Sequence, residues 1–220
     1  MLMITSWEPP PLSPPAPGPG ELHLWWFGLD DADAVDEARL TPDERVRAER
    51  LRDQTSRRHF SAARNRLRQI LGRYLSTPPE SLVFRYGAQG KPALDPRHPA
   101  LEFNLSHAAG AGMLVVANGA IGVDIEPLQP RKNSRAIARR VFDERIYARI
   151  ANLPQPEFDV QFIHHWTHFE ARSKCGGGGV FRPLAERMNA LNFTPAPGWI
   201  GAVASRDPLP EATRWKTYHL

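Results

Sequence analysis

With 220 residues, 41% hydrophobic and 24% charged, the chain has enough apolar material for one large domain or two small ones, which excludes wholesale disorder, collagen and coiled coil. No apolar run reaches bilayer-spanning length, the N-terminus lacks the order of a secretory signal, and Cys175 is the single cysteine, so a cytoplasmic protein without disulfides or a membrane partner is expected. The net charge is only +4, yet ten arginines between Arg45 and Arg73 face only Glu49 and Asp53, which favours an anionic partner.

In chain order, seven prolines between residues 8 and 20 exclude helix and central strand, so residues 1–20 read as a disordered, Pro-rich leader. Aromatic and aliphatic residues at 21–28 predict a first strand. Thr41-Pro42-Asp43-Glu44 is a strong helix start, with a helix to about Asp53. A second helix, 56–75, has Phe60, Ala63, Leu67, Ile70, Leu71 and Tyr74 at helical spacing and stops before Pro78-Pro79. Its arginines read as a solvated face, with some available to grip phosphate; Phe60 alone offers no stacking platform, which argues against nucleic acid and for a small anion. Strands are predicted at 82–86, 101–105, 112–117 and 120–126, with Asn118-Gly119 as a tight turn between the last two. Helices follow near 131–140, 143–153 and 157–174, then a loop of four glycines at 176–179 and closing strands at 199–205 and 214–219. The order of strand, helices and strands occurs twice, which predicts an α+β fold whose halves, 21–118 and 119–220, are crude structural repeats.

Alternation along Ile121-Gly122-Val123-Asp124-Ile125-Glu126 puts two carboxylates on one strand face and two aliphatic residues in the core, a pattern that any half-exposed strand also shows. On the 157–174 helix, Phe162, Trp166 and Phe169 read as core contacts, and Glu170 and Lys174 as neighbours that form at least a surface ion pair. His164, His165 and His168 lack a third ligand at convincing spacing for zinc. Asn104-Leu105-Ser106-His107 reads as a strand breaking into a polar loop able to meet a phosphate, or as a turn with one satisfied histidine. Gly90-Lys91-Pro92 reads as a loop with one lysine.

Taken together and in this order, Gly90-Lys91-Pro92, Phe103-Asn104-Leu105-Ser106-His107, Ile121 to Glu126, and Trp166-Thr167-x-x-Glu170-Ala171-x-x-Lys174 resemble the motifs of the surfactin-type 4′-phosphopantetheinyl transferases. The resemblance runs from about Glu21 to the C-terminus and implies a monomer of two similar α/β halves packed as a pseudo-dimer, with coenzyme A and magnesium in the cleft between them. It further implies transfer of phosphopantetheine from coenzyme A to a serine of an acidic acyl or peptidyl carrier protein, releasing adenosine 3′,5′-bisphosphate. Carried over by residue, Asp124, Glu126 and Glu170 match the metal ligands, with Glu170 as proton acceptor and Lys174 on the phosphates. His107 matches the pyrophosphate contact, Lys91, Pro92 and Ser106 line the nucleotide, and Arg45, Arg47 and Arg58 are the candidates for the 3′-phosphate.

Two departures stand out. Phe169 occupies a position where the family usually has lysine, and only 23 residues separate Lys174 from Gly198, which predicts a reduced second sheet. A coenzyme A-binding paralogue without efficient transfer, a different magnesium-dependent phosphoesterase, and a basic nucleic-acid-binding module remain as alternatives.

Overall fold

The computed structural model describes residues 2–87, 90–99, 101–177 and 188–220. The first elements are β1 (Leu2–Met3), β2 (Leu22–Gly28), α1 (Pro42–Glu49) and α2 (Gln54–Leu75). The Glu44 carboxylate accepts from the Thr41 N–H at 3.1 Å and starts α1, while Asp53 accepts from the Ser56 N–H at 2.8 Å and starts α2. Ser76, left-handed at φ 48°, ends α2. Next come β3 (Phe84–Tyr86), β4 (Pro92–Leu94), β5 (Glu102–Ala108), β6 (Ala111–Ala117) and β7 (Ile121–Pro127). The second run of helices is α3 (Ser134–Val141), α4 (Glu144–Ile150) and α5 (Gln155–Cys175), followed by β8 (Asn189–Thr194), β9 (Trp199–Ser205) and β10 (Trp215–His219).

The fold is α+β, with two four-stranded sheets in the orders β10-β2-β6-β5 and β1-β8-β9-β7, and a separate β3-β4 pair. Strand alternation explains how the layers stack. Leu22, Leu24, Met113 and Val115 of the first sheet meet Ile121, Val123, Ile125 and Phe193 of the second in one shared core. Trp25, Phe27, Leu114 and Val116 turn the other way and pack with Leu67, Ile70 and Leu71 of α2. On the far side of the second sheet, Ala202 and Ala204 pack with Ala171 and Cys175 of α5. The order of layers is therefore α2, first sheet, second sheet, α5. Gly122 is required where β7 meets α5, because a Cβ there would collide with the Ala171 carbonyl.

The strand and helix boundaries differ from expectation in informative places. Residues 104–108 continue β5 rather than forming a loop, and the turn falls at Ala109 and Gly110, whose φ angles of 42° and 79° suit a tight hairpin into β6. Asn118-Gly119 closes no hairpin: β6 and β7 belong to different sheets, so the turn hands the chain from one layer to the next. The second sheet is not reduced, because β8 and the incoming β1 bring it to four strands, as many as the first. Gly178 and Gly179 of the expected loop lie outside the described residues.

Both termini cross over. The C-terminal β10 pairs in parallel with β2, and the N-terminal β1 pairs in parallel with β8. The leader expected to be disordered is a strap with defined contacts. Glu8 exchanges backbone hydrogen bonds with β10, donating to the Thr217 carbonyl at 2.8 Å and accepting from the His219 N–H at 3.0 Å. Trp7 Nε1 donates to the Pro195 carbonyl at 3.1 Å, and Arg73 donates to the Pro11 carbonyl at 3.1 Å. Its prolines do exclude helix and central strand; the carbonyls they leave free accept from side chains of the body.

Candidate active site

The site lies where β5, the edge of the first sheet, runs against β7, the edge of the second, with α5 above them. Asp124 on β7 is 5% exposed, and its Oδ1 accepts from Ser106 Oγ of β5 at 2.8 Å and from Lys174 Nζ of α5 at 2.6 Å. Lys174 Nζ also donates to Ser106 Oγ at 2.9 Å. Three elements thus converge on one carboxylate oxygen. The other oxygen, Asp124 Oδ2, is buried and has no hydrogen-bond partner among the described residues, an expensive state for a carboxylate oxygen unless something binds it.

Glu126, two residues on and on the same face, accepts from Trp166 Nε1 at 3.2 Å and from Arg131 at 2.9 Å; the Arg131 guanidinium also lies 4.7 Å from the Trp166 ring centroid. Trp166 is therefore more than the core contact expected of it, since it anchors a site carboxylate. Phe169 is half-buried, with its ring centroid 6.4 Å from that of Trp166, and so extends this aromatic wall. Burial, and then the charge of Asp124, push the Glu126 carboxyl above 4.5, with Arg131 pulling it back. Burial and Asp124 likewise push Glu170 up; Lys174 opposes the rise and Glu126 adds to it. These shifts are the signature of acids crowded with too little compensating charge.

The predicted cofactor residues fall into separate groups. His107, near the end of β5, has an exposed side chain; the protein around it, then the charges of Lys174 and His59, hold its imidazole below 6.5. Lys91 donates to the Ile121 carbonyl at the start of β7 at 3.2 Å, and burial lowers its ammonium pKa. Lys91 and Pro92 line a cavity of about 630 Å³ together with Gly87, Glu102, Phe103 and Gly177. Arg47 stacks 4.2 Å from the centroid of Tyr86, the neighbour of Gly87 in that wall. Arg45 and Arg58 instead line a different groove, between α1 and α2, and are tied to main-chain carbonyls: Arg45 to those of Glu37 and Leu40, Arg58 to that of Asp30. Ser106 is not brought to open space beside the nucleotide positions; it is 4% exposed and bonded to Asp124.

Three of the α2 arginines correct the reading of a solvated face. Arg64 and Arg68, 6% and 1% exposed, clamp the fully buried Glu44 at 2.7 and 2.8 Å, and Arg66, 3% exposed, meets Asp33 at 2.7 Å.

Among the described residues no group of three or more histidine, cysteine, aspartate or glutamate side chains forms a ready-made metal cage, the three α5 histidines included. Burial holds the ring of His165 down to about 4, with the charges of His164 and His168 adding to the effect.

Comparison with known proteins decides the family. The chain is 36% identical over 191 residues to the 4′-phosphopantetheinyl transferase HetI of a Nostoc species, covering 81% of this chain and 80% of that protein. The chain belongs to the 4′-phosphopantetheinyl transferase superfamily. A sequence model of that superfamily matches residues 120–217, the span that carries Asp124, Glu126, Glu170 and Lys174. The transferase psf-1 of Bacillus pumilus is 30% identical over 157 residues, 69% of this chain and 66% of that one. The transferase AcpT of Salmonella typhimurium is 38% identical over 117 residues, 52% and 58% of the respective chains. A phosphopantetheinyl transferase is an enzyme, and among the described residues no helix is long and apolar enough to cross a membrane.

Sequence reasoning assigned no role to Asn104 or Arg131. No sequence signal marked Asn104, because β5 mixes polar and apolar residues on both faces; its burial and its partner, the Val123 N–H at 2.9 Å, appear only in the fold.

Proposed function

We propose that this chain transfers the 4′-phosphopantetheine group of coenzyme A to a serine hydroxyl of an acyl or peptidyl carrier protein, with magnesium, as a surfactin-type monomer. The carrying observation is the convergence of Ser106, Asp124 and Lys174 across the junction of the two sheets, with Glu126 and Glu170 crowded beside them. The two halves, about 21–118 and 119–220, then form a pseudo-dimer whose cleft is this junction, with β10 and β1 exchanged between the sheets.

The residues fit magnesium. The orphan Asp124 Oδ2, and carboxylates whose mutual repulsion a cation would relieve, supply hard oxygen donors. Magnesium commonly takes one or two carboxylates plus substrate phosphate and water rather than an all-protein cage, which agrees with the lack of a preassembled one. Asp124, Glu126 and Glu170 would hold it. When bound, the ion neutralises charge on the phosphate under attack.

The chain's own residues supply the rest. Lys174, adjacent to Asp124 and 28% exposed, holds the phosphates and steadies the departing oxygen. Glu170, one helical turn before Lys174 on α5, takes the serine proton. The serine oxygen bonds to the phosphorus that carries pantetheine, and the bond to the adenylate oxygen breaks, releasing adenosine 3′,5′-bisphosphate. His107, exposed near the end of β5, meets the pyrophosphate. Lys91 and Pro92 line the cavity for the nucleotide, and Arg47, over Tyr86 beside that cavity, is the arginine assigned to the 3′-phosphate. Arg45 and Arg58, spent on main-chain carbonyls in another groove, are not. Basic side chains on the surface suit an acidic carrier.

The test is intact-mass spectrometry of apo carrier proteins incubated with this protein, coenzyme A and magnesium. A gain of one phosphopantetheinyl group, abolished by chelator, is expected; no gain on any acyl or peptidyl carrier would overturn the reading.

A further inference from the structure

The Ser106 hydroxyl has no bonding capacity left. It donates to Asp124 Oδ1 at 2.8 Å and accepts from Lys174 Nζ at 2.9 Å and from the Ile125 N–H at 3.4 Å. One donor and two acceptor positions are all that a hydroxyl offers. Two residues earlier on the same face of β5, the buried Asn104 accepts from the Val123 N–H at 2.9 Å. Among the described residues β7 is an edge strand, paired through its backbone with β9 alone, so the N–H groups on its other edge need partners from elsewhere. Asn104 and Ser106 provide them for Val123 and Ile125, the residues on either side of Asp124. Two side chains of one sheet therefore fix the height and direction of the carboxylate carried by the other, with its Oδ1 occupied and its Oδ2 unpaired.

We propose that Asn104 and Ser106 are positioning residues that aim Asp124 Oδ2 at the metal, and that Ser106 serves the reaction in this way rather than by contact with the nucleotide. The proposal rests on the metal reading of Asp124. Groups that hydrogen-bond a metal's ligands typically control its affinity by 10- to 100-fold.

The experiment measures Mn²⁺ binding by electron paramagnetic resonance in the presence of coenzyme A, and coenzyme A binding separately in chelator. Ser106→Ala should weaken Mn²⁺ binding by about 10-fold or more, Ser106→Thr should restore most of it by returning the hydroxyl, and coenzyme A affinity in chelator should not change. Unaltered Mn²⁺ affinity in Ser106→Ala, or a loss of coenzyme A affinity in chelator as large as the loss of metal, would overturn the proposal. Should Ser106→Ala fail to fold by circular dichroism, Asn104→Ala is read against the same two outcomes. Asp124→Asn separates the two claims: if it too leaves Mn²⁺ binding intact, the metal reading fails, and if it alone abolishes binding, only the positioning role fails.

Discussion

Glu44 on α1 and Glu170 on α5 are the same side chain in opposite circumstances. Glu44 is fully buried, and burial alone would raise its pKa, yet the hydrogen bond from Arg68 and the charges of Arg64 and Arg68 outweigh that and hold it below 4.5. Glu170 is only half-buried, yet burial and then the charges of Asp124 and Glu126 outweigh Lys174 and Arg131 and raise its pKa. Where α1 meets α2 both oxygens of the buried Glu44 are bonded to an arginine, Oε1 to Arg64 and Oε2 to Arg68, and the region is structural. Where β7 meets α5 three acids share two cations, Lys174 and Arg131, and the deficit leaves room for a further cation. A buried acid with both oxygens met by cations belongs to the scaffold, whereas one with an oxygen left open, as at Asp124 Oδ2, has room for a further cation.

The sharpest way to break this comparison is to exchange the consequences of mutation. Read by intact-mass rates and calorimetry, Asp124→Asn should lower transfer by about 10²- to 10³-fold or more while the thermal midpoint falls less than in Glu44→Gln, because the partner Lys174 is 28% exposed and can turn to water. Glu44→Gln should do the reverse. It leaves two buried arginines short of charge, costs about 3–5 kcal/mol in denaturant unfolding, and spares the rate measured well below the midpoint. An Asp124→Asn variant that unfolds, or a Glu44→Gln variant as stable as the parent, would erase the distinction.

A smaller effect concerns the strap. Deleting residues 1–20 removes β1, Trp7 and the Glu8 pairing with β10, and should cost about 2–4 kcal/mol through lost apolar burial, with faster amide exchange in β8 and β10. An unchanged exchange pattern would show that the leader's contacts contribute nothing.

The smallest is pH dependence in metal-free protein. Glu126 and Glu170 have raised pKa values in the fold, so the native state takes up protons before the unfolded chain does, and their strain is relieved as pH falls toward 4.5. Glu44 is lowered; its contribution is present above 4.5 and is lost as pH falls through its native value. A Glu126→Gln, Glu170→Gln double variant should be more stable than the parent at pH 7 in chelator, and the advantage should vanish as pH drops to 4.5. An advantage that grows on acidification would reverse the assigned signs.

Apolar periodicity made β2, α2, α5 and β9 legible in the sequence, because their alternate residues feed cores that only one register can fill. β8 was missed because its polar residue Asn192 is buried, and its partners, Thr167 and the His164 carbonyl, come from a helix far away in sequence. The strap was read as disorder because its proline carbonyls find donors in Arg73 and Arg214, which composition does not reveal. The proposed site residues Asp124, Glu126, Glu170 and Lys174 were legible from motif spacing, and the structure joins Lys174 to Asp124 in an ion pair. The burial of Arg64, Arg66 and Arg68 was not legible, since it depends on Glu44, Asp31 and Asp33 being folded against them.

The most direct test of the central claim is a Mn²⁺ titration in the presence of coenzyme A, comparing the parent with Asp124→Asn and Glu170→Gln. The account predicts a Mn²⁺ site in the parent, lost in Asp124→Asn and weakened in Glu170→Gln. Equal Mn²⁺ affinity in all three proteins would contradict it and return these acids to the surface of an ordinary strand and helix.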